Sequence, residues 1–289
     1  MLGHVSKRSQ AELGMLLVAF VWGSTFVITK NALADIGPFF FLGIRFILAF
    51  LVLAAFAWSE IRKIDRATLL TGSLIGIFLF IGYTFQTVGL QYTTASKAGF
   101  ITGLNVVLVP VLYVLVERKL PTLHTLGSVV VATIGLYLMS VPPGTFRLAY
   151  GDLLMLVCAF GFAMQIILVN HYSYRFNPVA ITGVQILFVG VWCLLIGAMV
   201  EPLPQQITYN AGSAIIITAV LATALAFLLQ NGMQKYSTPT RFAIVLATEP
   251  VFAGITGYYW GGETLTIRAL IGAAMILIAM LIAILSRSD

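Results

Sequence analysis

Polar and aromatic side chains recur at helical spacing inside apolar segments of this sequence. In the first segment the spacing i, i+3, i+4 and i+7 relates Trp22, Thr25, Phe26 and Thr29. A helix would place these four side chains on one face. Similar combinations of aromatic, hydroxyl and amide side chains stand in five further segments: Tyr83 with Gln86, Thr102 with Asn105, Phe162 with Gln165, Phe227 with Gln230, Asn231 and Gln234, and Thr248 with Glu249.

These side chains could bind a small molecule. Polar groups inside apolar segments are costly in lipid and usually face an interior cavity. An aromatic and amide lining suits a substrate with an apolar body and a polar head. Hydrogen bonding between helices is an equally open interpretation for each Asn, Gln or Thr. The predicted substrate-binding residues are Trp22, Thr25, Tyr83, Gln86, Asn105, Phe162, Gln165, Phe227, Asn231 and Thr248.

Three charged residues have a predicted role in coupling or in structure. Glu249 is expected deep in a segment, where it either exchanges protons during transport or is a structural acceptor before Pro250. Lys97 and Arg241 are expected at the starts of two helices. They would either attract an anionic group, such as a carboxylate, at opposite ends of a cavity or anchor the helices at the membrane interface.

Two further cations fall at or inside apolar segments. Lys30 is expected to extend its amine to the interface. Arg45 stands seven residues into the second segment, ~10 Å along a helix from its start at 1.5 Å per residue. It would pair with a carboxylate or reach lipid headgroups.

The sequence has no pattern of a catalytic or metal site. His4, His124 and His171 are scattered, and Cys158 and Cys193 stand inside apolar segments without metal-ligand spacing. Phosphate-loop, zinc-protease and serine-hydrolase motifs are absent from the sequence. We therefore expect no enzyme activity, no cofactor and no metal.

Composition identifies the surroundings that these residues require. Hydrophobic residues occupy 60% of the 289 positions and charged residues only 9%, whereas soluble domains carry about 25% charge. The chain is therefore predicted to be an all-α integral membrane protein. Its net charge of +6 comes from basic residues between apolar runs, which orient helices and meet anionic headgroups. Nucleic acid is not an expected partner.

Ten apolar runs are long enough to cross a bilayer as helices, for which about 20 residues are needed. They are too long for barrel strands and lack the alternation of polar and apolar residues that barrel strands show. The predicted spans are 11–31, 38–58, 68–91, 95–116, 123–141, 151–171, 178–200, 211–234, 238–260 and 264–286.

Basic residues predict the orientation of the spans. With the N-terminus inside, the inner segments hold eleven Lys and Arg residues and the outer segments three. This bias favours both termini in the cytoplasm. Residues 1–10 would form a cytoplasmic tail, and the first apolar run would be a retained helix rather than a cleaved signal peptide.

The two halves of the chain resemble each other. Ala19-Phe20 and Pro38 in the first half match Ala159-Phe160 and Pro178 at an offset of 140. The turn YTTASKAGF, which contains Lys97, answers YSTPTRFAI, which contains Arg241. Because each half has five spans, the second half enters the membrane from the opposite side. The predicted architecture is two inverted five-helix repeats, 11–141 and 151–286, around a central cavity.

The ordered set of segments resembles the EamA type of the drug/metabolite transporter superfamily. The resemblance rests on VWGSTFVITK, YTTASKAGF and TEPVFAGITGYYWGGETLT, and it covers nearly the whole chain. The Pro-to-Glu spacing of the family occurs as Pro250 and Glu263, whereas the first half has Leu104 at that spacing before Glu117 and its proline at Pro110. The resemblance implies a basket-like bundle with a central cavity that exports small metabolites. Within the superfamily the chain is most similar to amino-acid exporters of the YddG type.

The leading hypothesis is a secondary transporter that exports amino acids, including aromatic and neutral ones, by alternating access. We expect it in the cell (inner or plasma) membrane, with a small-molecule substrate, a lipid bilayer and a monomeric state. Drugs, nucleosides and other metabolites remain alternative substrates. Alternatives of a different class are a channel, a receptor that does not transport and a membrane-embedded enzyme that modifies lipids.

Overall fold

A computed structural model of the chain describes residues 7–93, 95–118, 120–141, 150–260, 264 and 266–285, without the side chains of residues 95–97, 117 and 140. The described residues form helices and turns, and no strand occurs among them. This confirms the predicted all-α membrane fold.

Thirteen α-helices are described. Those of the first half are α1 (Lys7–Ala32), α2 (Pro38–Ile61), α3 (Arg66–Leu90), α4 (Ala95–Gly103), α5 (Asn105–Glu117) and α6 (Leu123–Ser140). Those of the second half are α7 (Tyr150–Tyr172), α8 (Pro178–Val200), α9 (Tyr209–Ala219), α10 (Ala226–Met233), α11 (Pro239–Leu246), α12 (Glu249–Trp260) and α13 (Ile267–Leu285).

These helices make ten apolar spans. In the described part of the chain nine spans are long and apolar enough to cross a membrane, and α6 is a shorter apolar helix. The first helix begins at Lys7, four residues before the predicted start. The fourth span consists of α4 and α5, the ninth of α11 and α12, and the eighth is α9 and α10 joined by a π-helical segment.

Local sequence explains where several helices begin. Pro38, Pro178 and Pro239 occupy the first turns of α2, α8 and α11, where a missing N–H breaks no helical hydrogen bond. Asp65 caps α3 by accepting a hydrogen bond of 2.8 Å from the backbone N–H of Thr68.

The packing of the spans follows the repeat. Helix α2 packs against α8 and α6 against α13, which joins the second and fifth spans of one repeat to their counterparts in the other. The third span (α3) packs on the sixth span (α7). In the same way, the eighth span (α9 and α10) packs on the first span (α1). Such reciprocal pairing is what two inverted repeats related by a two-fold axis in the membrane plane produce.

Polar contacts at the two ends of the α2–α8 pair are also reciprocal. Glu201, just after α8, accepts hydrogen bonds of 2.9 and 3.0 Å from the backbone N–H groups of Phe39 and Phe40 at the start of α2. At the other end Asn177, which caps α8, donates a 2.7 Å hydrogen bond to Glu60 near the end of α2. Each repeat therefore secures the first turn of a helix in the other.

Small residues allow the helices of the two repeats to approach closely. A Cβ atom on Gly161 of α7 would lie 2.7 Å from the backbone nitrogen of Gly82 on α3. A Cβ on Gly135 of α6 would lie 2.7 Å from the carbonyl oxygen of Gly272 on α13. These backbones are in contact, which is how helices associate in lipid without a hydrophobic driving force between them.

Candidate functional site

A cavity of about 50 Å³ lies at the centre of the bundle and is lined by both repeats. One water needs ~10–15 Å³ of such space, so the cavity holds a few waters. A substrate of amino-acid size needs the lining side chains to move apart. The lining consists of Trp22, Thr25, Phe26, Thr29, Arg45, Tyr83, Gln86, Thr87, Leu90, Thr102, Asn105, Phe162, Gln165, Ile166, Phe227, Gln230, Leu246 and Glu249.

Most residues singled out from the sequence line this cavity. They come from six of the ten spans, which their helical spacing alone could not have brought together. The predicted residues in the lining are Trp22, Thr25, Tyr83, Gln86, Asn105, Phe162, Gln165, Phe227 and Glu249.

The other four predicted residues are not part of the described lining. Asn231 donates a 2.7 Å hydrogen bond to Thr182 of α8, and the hydroxyl of Thr248 donates to the carbonyl of Val245 in its own turn. Arg241 is buried beside Glu12 and bonds to its carboxylate. The side chain of Lys97 lies outside the described residues.

Arg45 is a buried cation on α2 at the cavity wall. Its Nε atom donates a 2.8 Å hydrogen bond to Thr223, and its Nη2 atom lies 3.5 Å from the hydroxyl of Tyr83 and 3.4 Å from the carbonyl of Ala222. The guanidinium also faces the Tyr83 ring at 4.9 Å. Within the described residues Nη1 has no hydrogen-bond partner and Arg45 forms no ion pair. One edge of the guanidinium is therefore available to a ligand.

The π-helical segment 220–225 explains how Arg45 is held. A π turn widens the helix and leaves backbone carbonyls without their usual helical partners. The carbonyl of Ala222 accepts hydrogen bonds from Arg45 and, at 2.8 Å, from the indole N–H of Trp22. This turn thus connects α1, α2 and the eighth span at the cavity.

Glu249 is the first residue of α12 and the carboxylate of the described cavity lining. Its side chain has no hydrogen bond or ion pair with any other described residue. The break between α11 and α12 places it at a helix N-terminus, where the helix dipole favours a negative charge. Asn105, the first residue of α5 at the equivalent break, lines the same cavity.

Four aromatic side chains form a continuous surface on one side of the cavity. The Trp22 and Phe227 ring centroids lie 5.4 Å apart, and Tyr83 lies 5.9 Å from Phe227 and 5.1 Å from Phe162. The last two contacts are edge-to-face, a favourable arrangement of aromatic rings. The surface combines residues of α1, α3, α7 and α10.

Three amide side chains are joined by hydrogen bonds at the cavity wall. Gln230 donates a 3.0 Å hydrogen bond to Gln165, which donates one of 3.4 Å to Gln185. All three are buried, and only the first two line the cavity. These hydrogen bonds fix the orientation of the Gln165 amide, because its oxygen and nitrogen are both engaged.

The cavity lining also includes residues that the sequence pattern places inside spans but does not predict as site residues: Thr29, Arg45, Thr102 and Gln230. An intramembrane cation is a functional signal by default, which applies to Arg45. The π turn left no comparable signal, since the VLATAL segment has ordinary helix-forming residues. Thr87 and Leu90 extend the α3 stripe toward the cavity.

Comparison with known proteins gives two matches to one family model. The model of the EamA-like transporter family matches residues 9–141 and again residues 149–285. The two matches together cover nearly the whole described chain.

Individual relatives agree with this match. An uncharacterized transporter of Archaeoglobus fulgidus is 37% identical over 96% of this chain and 86% of its own length. A chloroplastic WAT1-related protein of Arabidopsis thaliana is 28% identical over 90% of this chain and 66% of its own length. A crystal structure that is 16% identical superposes with a TM-score of 0.80 and covers 95% of this chain and 96% of that one. This structural match supports the fold.

Proposed function

The chain belongs to the EamA-like transporter family, and from this premise we propose that it is a secondary carrier that exports amino acids by alternating access. The favoured substrates are neutral amino acids with apolar or aromatic side chains. The proposal includes the amino-acid specificity of the YddG type, the direction of transport and the mechanism. It also places the protein in the cell membrane with both termini in the cytoplasm.

The observation that carries the substrate proposal is the charge of the cavity lining. Among the described residues that line the cavity, Arg45 is the cation and Glu249 is the carboxylate. These two side chains form no ion pair with each other. Arg45 has one unoccupied edge and Glu249 has no described partner. A zwitterion satisfies both, because its carboxylate accepts from the guanidinium and its ammonium donates to Glu249.

The remaining lining agrees with such a substrate. The Trp22–Phe227–Tyr83–Phe162 surface offers apolar area to a side chain, and the amide of Gln86 offers hydrogen bonds. Phosphorylated metabolites fit poorly, since binding a phosphate calls for several cations. A neutral drug or nucleoside would leave both charged groups without partners in a low-dielectric site.

Uptake into liposomes that contain the purified protein tests the proposal. A panel of radiolabelled neutral amino acids, nucleosides and cationic drugs is offered with and without a pH gradient. We expect saturable flux of aromatic and branched amino acids, with competition among them, and none in protein-free liposomes. Saturable flux of the other classes alone would overturn the substrate proposal, and unsaturable conductance would indicate a channel.

A further inference from the structure

The first turns of α1 hold a buried charge cluster at one end of the bundle. The Oε1 atom of Glu12 accepts hydrogen bonds of 3.3 Å from Arg241, 3.1 Å from Arg8 and 3.4 Å from the hydroxyl of Ser237. Glu12 and Arg241 are each 1% exposed. We call Glu12, Ser237 and Arg241 the first lock, because they join α1 to the segment that enters α11.

A related contact lies at the corresponding place in the other repeat. Asp152 of α7, 2% exposed, accepts a 2.7 Å hydrogen bond from the hydroxyl of Thr93, which precedes α4. We call Asp152 and Thr93 the second lock. Asp152 follows Glu12 by 140 positions and Ser237 follows Thr93 by 144, the offsets that relate the two repeats in sequence.

The two locks lie at opposite ends of the bundle. The first and sixth spans begin on opposite sides of the membrane, because five crossings separate their starts. The ninth span starts on the side of the first span, and the fourth starts on the side of the sixth. Each lock therefore joins two helix starts of different repeats on one side of the membrane.

Along α1 and α7 the same spacing separates the carboxylate of each lock from the cavity. Met15 lies between Glu12 and the cavity residue Trp22, and Met155 lies between Asp152 and the cavity residue Phe162. Both methionines are fully buried. The carboxylate of each lock is ten residues from the cavity aromatic of its own helix, or ~15 Å along that helix.

We propose that the two locks close opposite ends of the central cavity and open alternately, so that breaking one exposes the cavity on its own side only. This rests on the proposed carrier function, since alternation is what such a carrier requires. Both locks are made in the structure, in agreement with its small cavity. A buried ion pair suits a switch, because it adds little net stability when formed, whereas removal of one partner leaves a buried charge uncompensated.

Neutralising one lock should therefore favour the form that is open on its side. In Glu12→Gln the closed form would bury Arg241 without the negative charge of Glu12, whereas the open form hydrates the guanidinium. The population then shifts toward the open form. Asp152→Asn weakens the acceptor of the second lock and shifts the population toward the other side.

Accessibility of a cavity cysteine measures these shifts without any substrate. Thr25→Cys is introduced into a Cys158→Ala/Cys193→Ala chain, and vesicles of known orientation are treated with a membrane-impermeant maleimide from either side. Glu12→Gln should raise the labelling rate at least threefold from the side on which α1 begins, with no increase from the other. Asp152→Asn should do the reverse. Lys63→Gln, which removes an exposed charge outside both locks, should change neither rate.

Milder variants keep the test decisive where a charge change impairs folding. Ser237→Ala and Thr93→Val each remove one hydroxyl and should shift labelling in the same directions by a smaller factor. Unchanged rates, or increases on the same side for both locks, overturn the proposal. Amino-acid flux is measured separately on vesicles that contain the unaltered chain: side-specific labelling of the variants without flux by the unaltered chain rejects the proposed substrate, whereas flux without side-specific labelling rejects the locks.

Discussion

At the scale of single residues, Arg45 and Glu249 give the cavity its chemical character. Both are ionisable groups inside a membrane bundle, where such groups are rare and usually functional. Their partners differ: Arg45 is fixed by Thr223 and Tyr83, whereas Glu249 has no described partner. The proposed substrate would bind to both side chains, through its carboxylate at Arg45 and its ammonium group at Glu249.

Glu249→Gln tests the ammonium contact. The amide keeps the shape of the side chain and removes its charge, and a hydrogen bond to a charged group is worth about 1.5–3 kcal/mol. We expect amino-acid affinity in liposome flux to fall roughly 10- to 100-fold, while an analogue that lacks the ammonium group is affected little. An equal loss for that analogue would assign Glu249 a structural role instead.

Arg45→Lys tests the carboxylate contact. Lysine keeps the charge but cannot reproduce the planar fork that donates to Thr223 and to a carboxylate at once. We expect KM for amino acids to rise about tenfold, the factor that corresponds to 1.4 kcal/mol. KM for the corresponding amino alcohol, which has no carboxylate, is the comparison, and a parallel rise there would contradict the assignment.

At the scale of elements, irregular helices deliver these groups to the cavity. The breaks between α4 and α5 and between α11 and α12 place Asn105 and Glu249 at helix starts in the middle of spans. The π turn of the eighth span presents the Ala222 carbonyl to Trp22 and Arg45. Such interruptions are tolerated within membranes where they are buried or line a cavity.

Trp22→Phe tests the contact of α1 with the π turn. Phenylalanine preserves an aromatic ring against Phe227 but removes the N–H that donates to Ala222. Loss of that hydrogen bond leaves a buried carbonyl with one donor fewer, at a cost of about 1–2 kcal/mol. We expect a lower midpoint of thermal unfolding and reduced flux. Phe20→Leu, on the same helix but partly exposed, is the control and should change both less.

Gly23→Ala tests the approach of α1 to the break in the ninth span. A Cβ at this position would meet the backbone carbonyl of Glu249 and would lie 2.8 Å from Cβ of Phe252. Helix α12 must therefore shift and carry Glu249 with it, so we expect flux to fall at least fivefold. Gly232→Ala, at a position with no atom within 4 Å of the added carbon, should leave flux unchanged.

At the scale of the whole molecule, the two repeats enclose the central cavity and pack against each other through pairs of equivalent helices. The α6–α13 pair joins the last helix of each repeat through glycines at positions 135 and 272. Because the pair lies away from the described cavity lining, changes there should affect stability more than substrate affinity.

Gly272→Ala should weaken this pairing. The added Cβ would meet the carbonyl of Gly135 and lie 2.6 Å from the backbone nitrogen of Met139. Overpacking of this kind costs typically about 1–3 kcal/mol, visible as a lower midpoint of thermal unfolding in detergent with KM unchanged. Gly127→Ala on α6 meets nothing within 4 Å and should not lower the midpoint. Equal behaviour of the two variants would contradict the packing argument.

The sequence alone determined the membrane class, the order of the apolar segments and the repeat. Each of these properties can be read from the length and composition of single segments, because a helix that crosses lipid needs about 20 apolar residues. Helical spacing also identified the polar faces of single spans, and nine of the residues selected from it line the cavity.

Tertiary structure decided which of these faces meet and which residues have partners. Asn231 and Gln165 both stand in buried polar stripes, yet only Gln165 lines the cavity, because Asn231 bonds to Thr182 of α8. Arg241 and Glu12 are 229 positions apart and bond only because the ninth span returns to the start of the first. Local sequence cannot encode such contacts, since they depend on how all ten spans pack at once.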